Sequence, residues 1–334
     1  IQPIRCSMSS SKLSVVVTRR LPEAVENRLV ELFDTTLNKT DTPFSHEQLA
    51  DALQTADVLI PTLSDKLDTE TLAKAGKQLK LITNYGSGYD HIDIEAAHKH
   101  GIIVTNTPGL LSEDSADMTL ALILTVMRRF KEGSAALQSG DWTGWSPSAF
   151  LGTSVGGKTL AIIGMGRVGM AVARRANAFG MKVIYHNRKP VHPEIERNLN
   201  ATYIDKLEDM LPMADVLSVH CPNTPETHHL LNTKRLALLK PTAFVINTAR
   251  GSVIDEIALI DALEKGSLAG AGLDVFEKGN QVNPRLRGRD NVMLLPHMAS
   301  ATKEARIDMG EKVILNIKTF ELGHRPPDQV LPKR

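Results

Sequence analysis

Residues 159–179 read TLAIIGMGRVGMAVARRANAF. The apolar run before Gly164 is typical of a buried strand, and the run after Gly169 has helical spacing. Between them lies a G-x-G-x-x-G turn, a pattern that lets backbone approach a pyrophosphate closely and directs a helix N-terminus at it. The stretch predicts a strand, turn and helix that bind a dinucleotide; the alternative is a glycine turn with a purely structural role.

Apolar runs alternate with helical segments on both sides of this stretch. The pattern begins at Leu13 and begins again near Lys158, where about six apolar runs follow one another. Strands separated by helices pair in parallel. The sequence therefore predicts an α/β protein with two doubly wound parallel sheets, one flavodoxin-like and one of the Rossmann dinucleotide-binding type.

The length of 334 residues favours two domains. Residues 112–137 are predicted to form one long helix, whose apolar half is expected to be buried between domains or between subunits. A further helical segment after residue 300 is expected to return the chain to the first domain. The predicted domains are a discontinuous substrate domain, residues 12–111 with 300–334, and a dinucleotide-binding domain, residues 112–299.

Composition excludes several classes of protein. Lys and Arg number 39 against 38 Asp and Glu, a net charge of +1, so no basic field for nucleic acid or a membrane surface is expected. The most apolar run, residues 118–127, is too short to span a bilayer. Cys6 and Cys221 are too few for a disulfide framework, which favours a reducing compartment and a cytoplasmic location. Residues before Lys12, including the candidate initiator Met8, are left out of the fold prediction.

Two further reactive side chains follow predicted strands. Arg250 ends the run INTAR and His297 ends the run LLPH. Because the carboxyl ends of parallel strands share one edge of a sheet, both are expected beside the glycine turn. An arginine binds a carboxylate through two parallel hydrogen bonds, and a histidine transfers protons near neutral pH. The pattern indicates a nicotinamide-dependent oxidoreductase acting on a small anion.

Three other polar clusters are candidate binding sites. The glycine-rich stretch NYGSGYD, residues 84–90, follows a predicted strand, and its amides can form an anion-binding turn. The histidine pairs His98/His100 and His228/His229 lack the usual spacing of metal ligands, so no metal site is predicted.

The strand after the glycine turn ends in HNRK, residues 186–189. An NAD-binding site usually has an acidic residue there, which would bind the ribose 2′-hydroxyl. Here Asn187 can bond an oxygen, and Arg188 with Lys189 can pair with a 2′-phosphate. We therefore expect NADP(H) to be preferred over NAD(H); the alternative is that these charges are only solvated.

The motifs GMGRVG, INTARGSVID, AGAGLDVF, LLPHMASAT, NYGSGYDHID and GDWTGW together resemble the D-isomer-specific 2-hydroxyacid dehydrogenases, most closely their glyoxylate/hydroxypyruvate reductase branch. The resemblance implies a homodimer that reduces a small 2-oxoacid. It implies that the amides of Ser87 and Gly88 bind the substrate carboxylate, that Arg250 holds the carboxylate and keto oxygen, and that His297 donates the proton. Trp145 would reach the partner subunit's site. The residues expected at the cofactor are Gly164, Gly166, Arg167, Val168, Gly169, Asn187, Arg188, Lys189, Pro222, Thr248, Asp274 and Ala299.

One position departs from the family pattern. The glutamate that usually pairs with the histidine stands five residues after the aspartate of LDVF, and this chain has Gly279 there, followed by Asn280 in place of proline. Glu277 would need a local shift to replace it. A carboxylate beside an imidazole favours its charged form, so its loss predicts weakened activity with the pH profile moved toward acid. The open alternatives are a nucleotide-sensing scaffold that has lost turnover and, less favoured, a formate dehydrogenase.

Overall fold

The computed structural model describes residues 12–332, so Cys6 and Met8 lie outside the described part of the chain. The described residues divide into a first unit, residues 12–111 with 302–332, and a second unit, residues 112–301. None of the described helices is both long enough and apolar enough to cross a membrane.

The elements follow in chain order. Residues 12–111 contain β1 (Ser14–Val17), α1 (Glu23–Leu32), β2 (Asp34–Thr36), α2 (His46–Thr55), β3 (Val58–Ile60), α3 (Thr69–Leu72), β4 (Leu81–Thr83), α4 (Ile94–Lys99) and β5 (Ile103–Thr105). Residues 112–301 contain α5 (Ser112–Met127), α6 (Phe130–Ser139), β6 (Thr159–Ile163), α7 (Arg167–Ala178), β7 (Lys182–His186), α8 (Pro193–Leu199), β8 (Ala201–Tyr203), α9 (Leu207–Met210), β9 (Val216–Val219), α10 (Thr233–Leu236), β10 (Phe244–Asn247), α11 (Glu256–Glu264), β11 (Gly270–Leu273) and β12 (Val292–Leu294). Residues 302–332 contain α12 (Lys303–Glu321) and β13 (Gln329–Val330).

The first unit is built on one sheet with the order β13-β5-β4-β3-β1-β2. Its strands are parallel except for the edge strand β13, which pairs antiparallel with β5. The order of β2, β1, β3, β4 and β5 is that of flavodoxin-like folds. Helix α12 packs on this unit so closely that a Cβ at Gly310 would lie 2.3 Å from the side chain of Val25.

The second unit has a seven-stranded parallel sheet with the order β12-β11-β10-β9-β6-β7-β8. The strand order reverses between β6 and β9, which is the place where doubly wound folds bind nucleotides. The predicted α/β class is therefore confirmed for both sheets. The short strands β2, β8 and β13 were not predicted, because none of them stands out as an apolar run.

The prediction of one helix over residues 112–137 is wrong. Helix α5 ends at Met127, Arg129 has a left-handed φ of 55°, and α6 starts at Phe130. The amide of Thr153 donates to the carbonyl of Met127 at 2.7 Å, and a Cβ at Gly152 would lie 2.4 Å from that oxygen. The returning chain thus takes the carbonyl that a continuous helix would use.

Helix α5 packs within the second unit, and its expected burial between domains or between subunits stays a prediction. The buried residues of α5 belong to the second unit's own hydrophobic core, together with residues of β6, α7 and β10. Helix α6, in contrast, has no buried residue. The apolar character of α5 is explained by packing on the sheet of its own unit.

Candidate active site

The glycine turn joins β6 to α7 at the carboxyl edge of the second sheet. Gly164 has a φ of 98°, and a Cβ there would lie 2.7 Å from the backbone nitrogen of Cys221. A Cβ at Gly169 would lie 2.3 Å from the carbonyl oxygen of Gly164, whereas a Cβ at Gly166 would meet nothing within 4 Å. Two glycines are therefore required by packing, and the third borders open space.

That open space fits a dinucleotide pyrophosphate. Gly166 is the N-cap of α7, which begins with Arg167 and Val168 and runs for 12 residues. The first amides of a helix have no partner within the helix and carry its positive end. A phosphate beside Gly166 would accept hydrogen bonds from these amides, and no side chain at position 166 would obstruct it.

Asn187 has a structural task that the sequence did not reveal. Its Oδ1 accepts a hydrogen bond from the amide of Met165 at 2.7 Å, and its carbonyl accepts one from the hydroxyl of Tyr203 at 3.0 Å. Arg188 and Lys189, the next two residues, are exposed. Asn187 thus ties the end of β7 to the glycine turn, while the two cations face solvent beside it.

The remaining predicted cofactor residues follow other strands of the same sheet. Pro222 comes after β9, and its carbonyl accepts a hydrogen bond from the hydroxyl of Thr227 at 2.7 Å. Thr248 comes after β10, and its hydroxyl lies 2.9 Å from that of Thr119 on α5. Both residues therefore stand at the edge of the sheet that carries the glycine turn.

Asp274 is the buried anchor of the segment that carries His297. Its carboxylate accepts the amides of Met298 at 2.7 Å and Ala299 at 2.8 Å, and its carbonyl accepts the amide of His297 at 2.9 Å. Burial away from water raises the pKa of the Asp274 carboxyl. The two backbone amides and the nearby His297 oppose this effect, since each lowers the pKa. The aspartate expected at the cofactor is therefore also the group that shapes the histidine's turn.

His297 itself stands in an uncommon backbone conformation. Its φ is 53°, in the left-handed region, where non-glycine residues are rare and carry strain of about 1–3 kcal/mol. The three hydrogen bonds to Asp274 hold the segment in this conformation. The backbone of His297 is thereby held just after β12, at the carboxyl edge of the sheet.

Arg250 leaves the same edge after β10, and Gly251 allows its approach to the next loop. A Cβ at Gly251 would lie 1.9 Å from the backbone carbon of Phe276 and 2.4 Å from the nitrogen of Glu277. The guanidinium of Arg250 donates to the carbonyl of Ala249 at 2.8 Å. Only glycine at position 251 allows its backbone to lie this close to the backbone of residues 276–277. The glycine that follows Arg250 is therefore required by packing.

Ser87 and Gly88 lie in the turn after β4 of the first unit. The Nδ2 of Asn84 donates to the carbonyls of Gly86 at 2.8 Å and Gly88 at 2.9 Å, and the Nδ2 of Asn106 donates to that of Ser87 at 2.7 Å. In a trans peptide the N–H points opposite to the carbonyl. Because the carbonyls are held by these two asparagines, the amides of Ser87 and Gly88 point the other way.

Trp145 lies in an exposed apolar segment of the second unit. Its side chain is 84% exposed, and the neighbouring Trp142 and Leu137 are 50% and 62% exposed. Large apolar side chains clustered in this way mark an interaction surface. Helix α6, which precedes the two tryptophans, has no buried residue.

Position 279 has no side chain to offer. Gly279 has a φ of 63°, its amide donates to the carbonyl of Phe276 at 3.1 Å, and a Cβ there would meet nothing within 4 Å. Glu277, the nearest acidic residue in sequence, is engaged elsewhere. Its two carboxylate oxygens accept from His229 Nε2 at 2.6 Å and from the amide of Glu256 at 3.1 Å.

Sequence reasoning assigned Asn187 and Asp274 to the cofactor and missed that they, together with Asn84 and Asn106, support the site from behind. Asn84 and Asn106 orient the amides of the first unit's turn, and Asn187 and Asp274 clamp two turns of the second unit. The weak signal available was that Asn84 and Asn187 each follow a strand, as binding residues do. The pairing of His229 with Glu277, 48 residues later, had no signal in the sequence.

Comparisons with known proteins show the family of this chain. A family model for the NAD binding domain of D-isomer specific 2-hydroxyacid dehydrogenase matches residues 120–299. A glyoxylate reductase from Thermococcus litoralis is 45% identical over 323 residues, which cover 96% of this chain and 97% of the relative.

Solved structures give the same result. A glyoxylate reductase from Paecilomyes thermophila is 33% identical with a TM-score of 0.84, covering 96% of this chain and 98% of the other. An NADPH-dependent glyoxylate/hydroxypyruvate reductase from Sinorhizobium meliloti, in complex with NADP and malonate, is 34% identical with a TM-score of 0.85, covering 97% and 99%. The chain therefore belongs to the D-isomer-specific 2-hydroxyacid dehydrogenase family and is an NAD(P)-dependent oxidoreductase.

Proposed function

We propose that this protein reduces a small 2-oxoacid, glyoxylate or hydroxypyruvate, with NADPH to the 2-hydroxyacid, which has the D configuration where the product is chiral. The observation that carries the proposal is the shared position of three groups at one edge of the second sheet: the open helix N-terminus at Gly166, the guanidinium of Arg250 and the imidazole of His297. The names of the similar proteins from Thermococcus, Paecilomyes and Sinorhizobium support the substrate class.

Each residue has a stated task in the proposed reaction. When bound, NADPH supplies the hydride that reduces the keto carbon. Arg250 pairs with the substrate carboxylate and keto oxygen, and the amides of Ser87 and Gly88 also bind the carboxylate. His297 donates the proton to the oxygen, held in place through Asp274.

The NADP(H) preference rests on the end of β7. Arg188 and Lys189 are exposed there, and the position carries no carboxylate that would repel a 2′-phosphate. Asn187 keeps its Oδ1 on Met165, so the two cations rather than the asparagine oxygen are proposed to select the phosphate. Replacing both, Arg188→Ala with Lys189→Ala, should raise the KM for NADPH by at least about tenfold and leave that for NADH within about twofold, since each charge-assisted bond contributes about 1.5–3 kcal/mol.

The proposed assembly is a homodimer through the exposed segment that contains Trp142 and Trp145. These side chains are exposed in a single chain, and no residue of α6 is buried. Burial of such a surface is favourable by about 25 cal/mol per Å² of apolar area. Trp145→Ala should shift the protein toward monomer in sedimentation at low concentration, and unchanged sedimentation would contradict the dimer proposed here.

Activity is proposed to be weaker than in a form of this protein that carries a glutamate at position 279. Position 279 supplies no carboxylate, and the carboxylate of Glu277 is engaged by His229 and by the amide of Glu256. Gly279→Glu should raise kcat/KM at neutral pH and move the alkaline limb of the profile upward, because a nearby carboxylate favours the charged imidazole.

The matched control for that experiment is Gly279→Gln, which has the same length without the charge. Both variants carry the strain of a left-handed side-chain position, about 1–2 kcal/mol, so any difference between them reports the carboxylate. Equal profiles for the two variants would remove the basis of this part of the proposal.

The second candidate function, a nucleotide-sensing scaffold, is favoured only by Gly279. The decisive experiment measures loss of NADPH absorbance with glyoxylate and with hydroxypyruvate across a range of pH, with NADH in parallel. Turnover that depends on Arg250 and His297 supports the reductase. Cofactor binding without turnover at any pH supports the scaffold.

A further inference from the structure

A cluster of two histidines and a glutamate lies outside the residues assigned to the reaction. One ligand atom from each of His228, His229 and Glu277 lies within 4.8 Å of the others. The sequence predicted no metal site here because adjacent histidines lack the usual spacing of metal ligands. The folded chain nevertheless brings the ligand atoms of both histidines together with that of Glu277.

The backbone at His229 brings the two imidazoles to the same side. Its φ is 48°, in the left-handed region, and the centroids of the two rings are 4.1 Å apart. Its amide donates to the carbonyl of Ser252 at 2.8 Å, which fixes the strained residue against the segment after β10. A strained non-glycine backbone that presents two side chains together is a feature commonly found at binding sites.

The carboxylate of the cluster is held in position from behind. Oε2 of Glu277 accepts the amide of Glu256, and the amide of Glu277 donates to Oε2 of Glu256 at 3.0 Å. This leaves Oε1 directed at Nε2 of His229, at 2.6 Å. Hydrogen-bonded support of this kind orients the ligands of metal sites. The reciprocal pair also places two carboxylates in one corner, which a divalent cation would stabilise.

We propose that His228, His229 and Glu277 bind a divalent transition-metal ion such as Zn²⁺. Two imidazoles and one carboxylate form a donor set that zinc accepts with a fourth position open. Tetrahedral ligands at about 2.0–2.1 Å from zinc are roughly 3.3 Å apart, so an ion placed between Nε2 and Oε1 requires these atoms to separate by only about 0.7 Å. The exposure of His228 leaves a route from solvent.

Occupation of this site would join three segments of the second unit. His228 and His229 follow β9, Ser252 and Glu256 follow β10, and Glu277 follows β11. The ion would thus stabilise the folded unit and raise its melting temperature with ion concentration. Metal binding at this site requires no catalytic turnover, so its test is independent of the proposed function.

The test uses the full-length protein without a histidine tag and with metals removed beforehand. Co²⁺ is the spectroscopic probe, because cobalt in a low-coordinate site of nitrogen and oxygen ligands absorbs visible light, and Zn²⁺ is the competitor. We expect one Co²⁺ bound per chain and its displacement by Zn²⁺ but not by Mg²⁺.

Three variants examine the ligands. His228→Ala, His229→Asn and Glu277→Gln should each weaken Co²⁺ binding by at least about tenfold. Asparagine tolerates the left-handed backbone and glutamine can still accept the Glu256 amide, so both variants are chosen to keep the fold. His98→Ala, which removes an exposed histidine of the first unit, is the matched control and should bind as the parent does.

Absence of visible cobalt bands in the parent protein at millimolar Co²⁺ would overturn the proposal. Equal binding by the parent and all three ligand variants would also overturn it, since the ion would then bind elsewhere. A zinc-dependent rise in melting temperature that is present in the parent and in His98→Ala, and lost in His228→Ala, would support it.

Discussion

Two glycine-rich turns, each after a parallel strand, are built in opposite ways. In the second unit, Gly164–Gly169 is shaped by close backbone packing, which leaves no room for a Cβ at either end. In the first unit, the turn at residues 84–89 is shaped by the side-chain amides of Asn84 and Asn106, which hold its carbonyls. A turn that binds an anion can therefore be fixed by steric exclusion or by hydrogen bonds from side chains behind it. Substitutions are expected to affect the two kinds of turn differently.

The largest effect is expected in the turn at residues 164–169, which is shaped by steric exclusion and is called the steric turn below. Gly169→Ala places a Cβ 2.3 Å from the carbonyl of Gly164, so we expect a loss of about 2–3 kcal/mol in the free energy of unfolding together with loss of NADPH binding. Gly166→Ala enters open space, so we expect stability within about 0.5 kcal/mol of the parent but NADPH affinity at least about tenfold lower. Urea unfolding and fluorescence titration measure the two quantities. Equal behaviour of the two variants would show that the turn is not built as described.

A smaller effect is expected when the hydrogen-bonded turn is broken. Asn84→Ala removes two bonds to carbonyls of the turn, and Asn106→Ala removes one. Since the amides of Ser87 and Gly88 then lose their orientation, we expect the KM for glyoxylate to rise by about tenfold or more, equivalent to about 1.4 kcal/mol, with unchanged NADPH affinity.

Asn38→Ala is the matched control. Asn38 is a buried asparagine of the same unit whose Nδ2 also donates to two carbonyls, those of Thr18 and Thr42, each at 2.7 Å. It should lower stability by about 1–3 kcal/mol, as Asn84→Ala does, and leave the KM unchanged. A KM that rises equally in Asn38→Ala would assign the effect to general destabilisation instead of the turn.

A third expected effect, confined to the pH dependence of stability, concerns the segment packed behind the turn at residues 164–169. The carbonyl carbon of His220 would lie 2.7 Å from a Cβ at Gly164, and its Nε2 lies 2.8 Å from the hydroxyl of the buried Ser218. Although part of the residue reaches the surface, loss of water lowers the pKa of His220 from 6.5 to about 3. Between these values the unfolded chain takes up a proton that the folded protein does not.

Stability from this group should therefore be present above pH 6.5 and be lost as pH falls toward 3. Between pH 7 and pH 5 we expect the free energy of unfolding to fall by about 1–2 kcal/mol from this histidine. His220→Gln, which cannot titrate, should reduce the pH dependence by that amount in urea unfolding at the two pH values. An unchanged pH dependence would mean that the imidazole is hydrated in the folded protein.

The same contrast explains which features could be predicted from sequence. The steric turn was predicted from glycine spacing between an apolar run and a helical run, since strand, turn and helix are consecutive and their geometry is local. The turn at residues 84–89 was recognised only as a glycine-rich segment. Its shape depends on Asn106, which follows a different strand, so its partners could not be paired from spacing alone.

The break between α5 and α6 was missed for a similar reason. The local sequence favours one helix, but Thr153 and Gly152 return from a later part of the chain and take the carbonyl of Met127. The short edge strands β8 and β13 were missed because pairing, rather than apolar content, defines them. In each case a contact distant in sequence overrode the local preference.

The amino-acid sequence alone was sufficient to predict the fold class, the place of the dinucleotide turn and the position of Arg250 and His297 after strands. These features follow from periodicity and from residue types that only one local geometry accommodates. Tertiary structure alone decided that Asp274 clamps the turn of His297, that Glu277 is committed to His229 and Glu256, and that His228 and His229 face the same way. The physical reason is that hydrogen bonds and backbone contacts between segments depend on how the strands are ordered in the sheet, which no local stretch of sequence specifies.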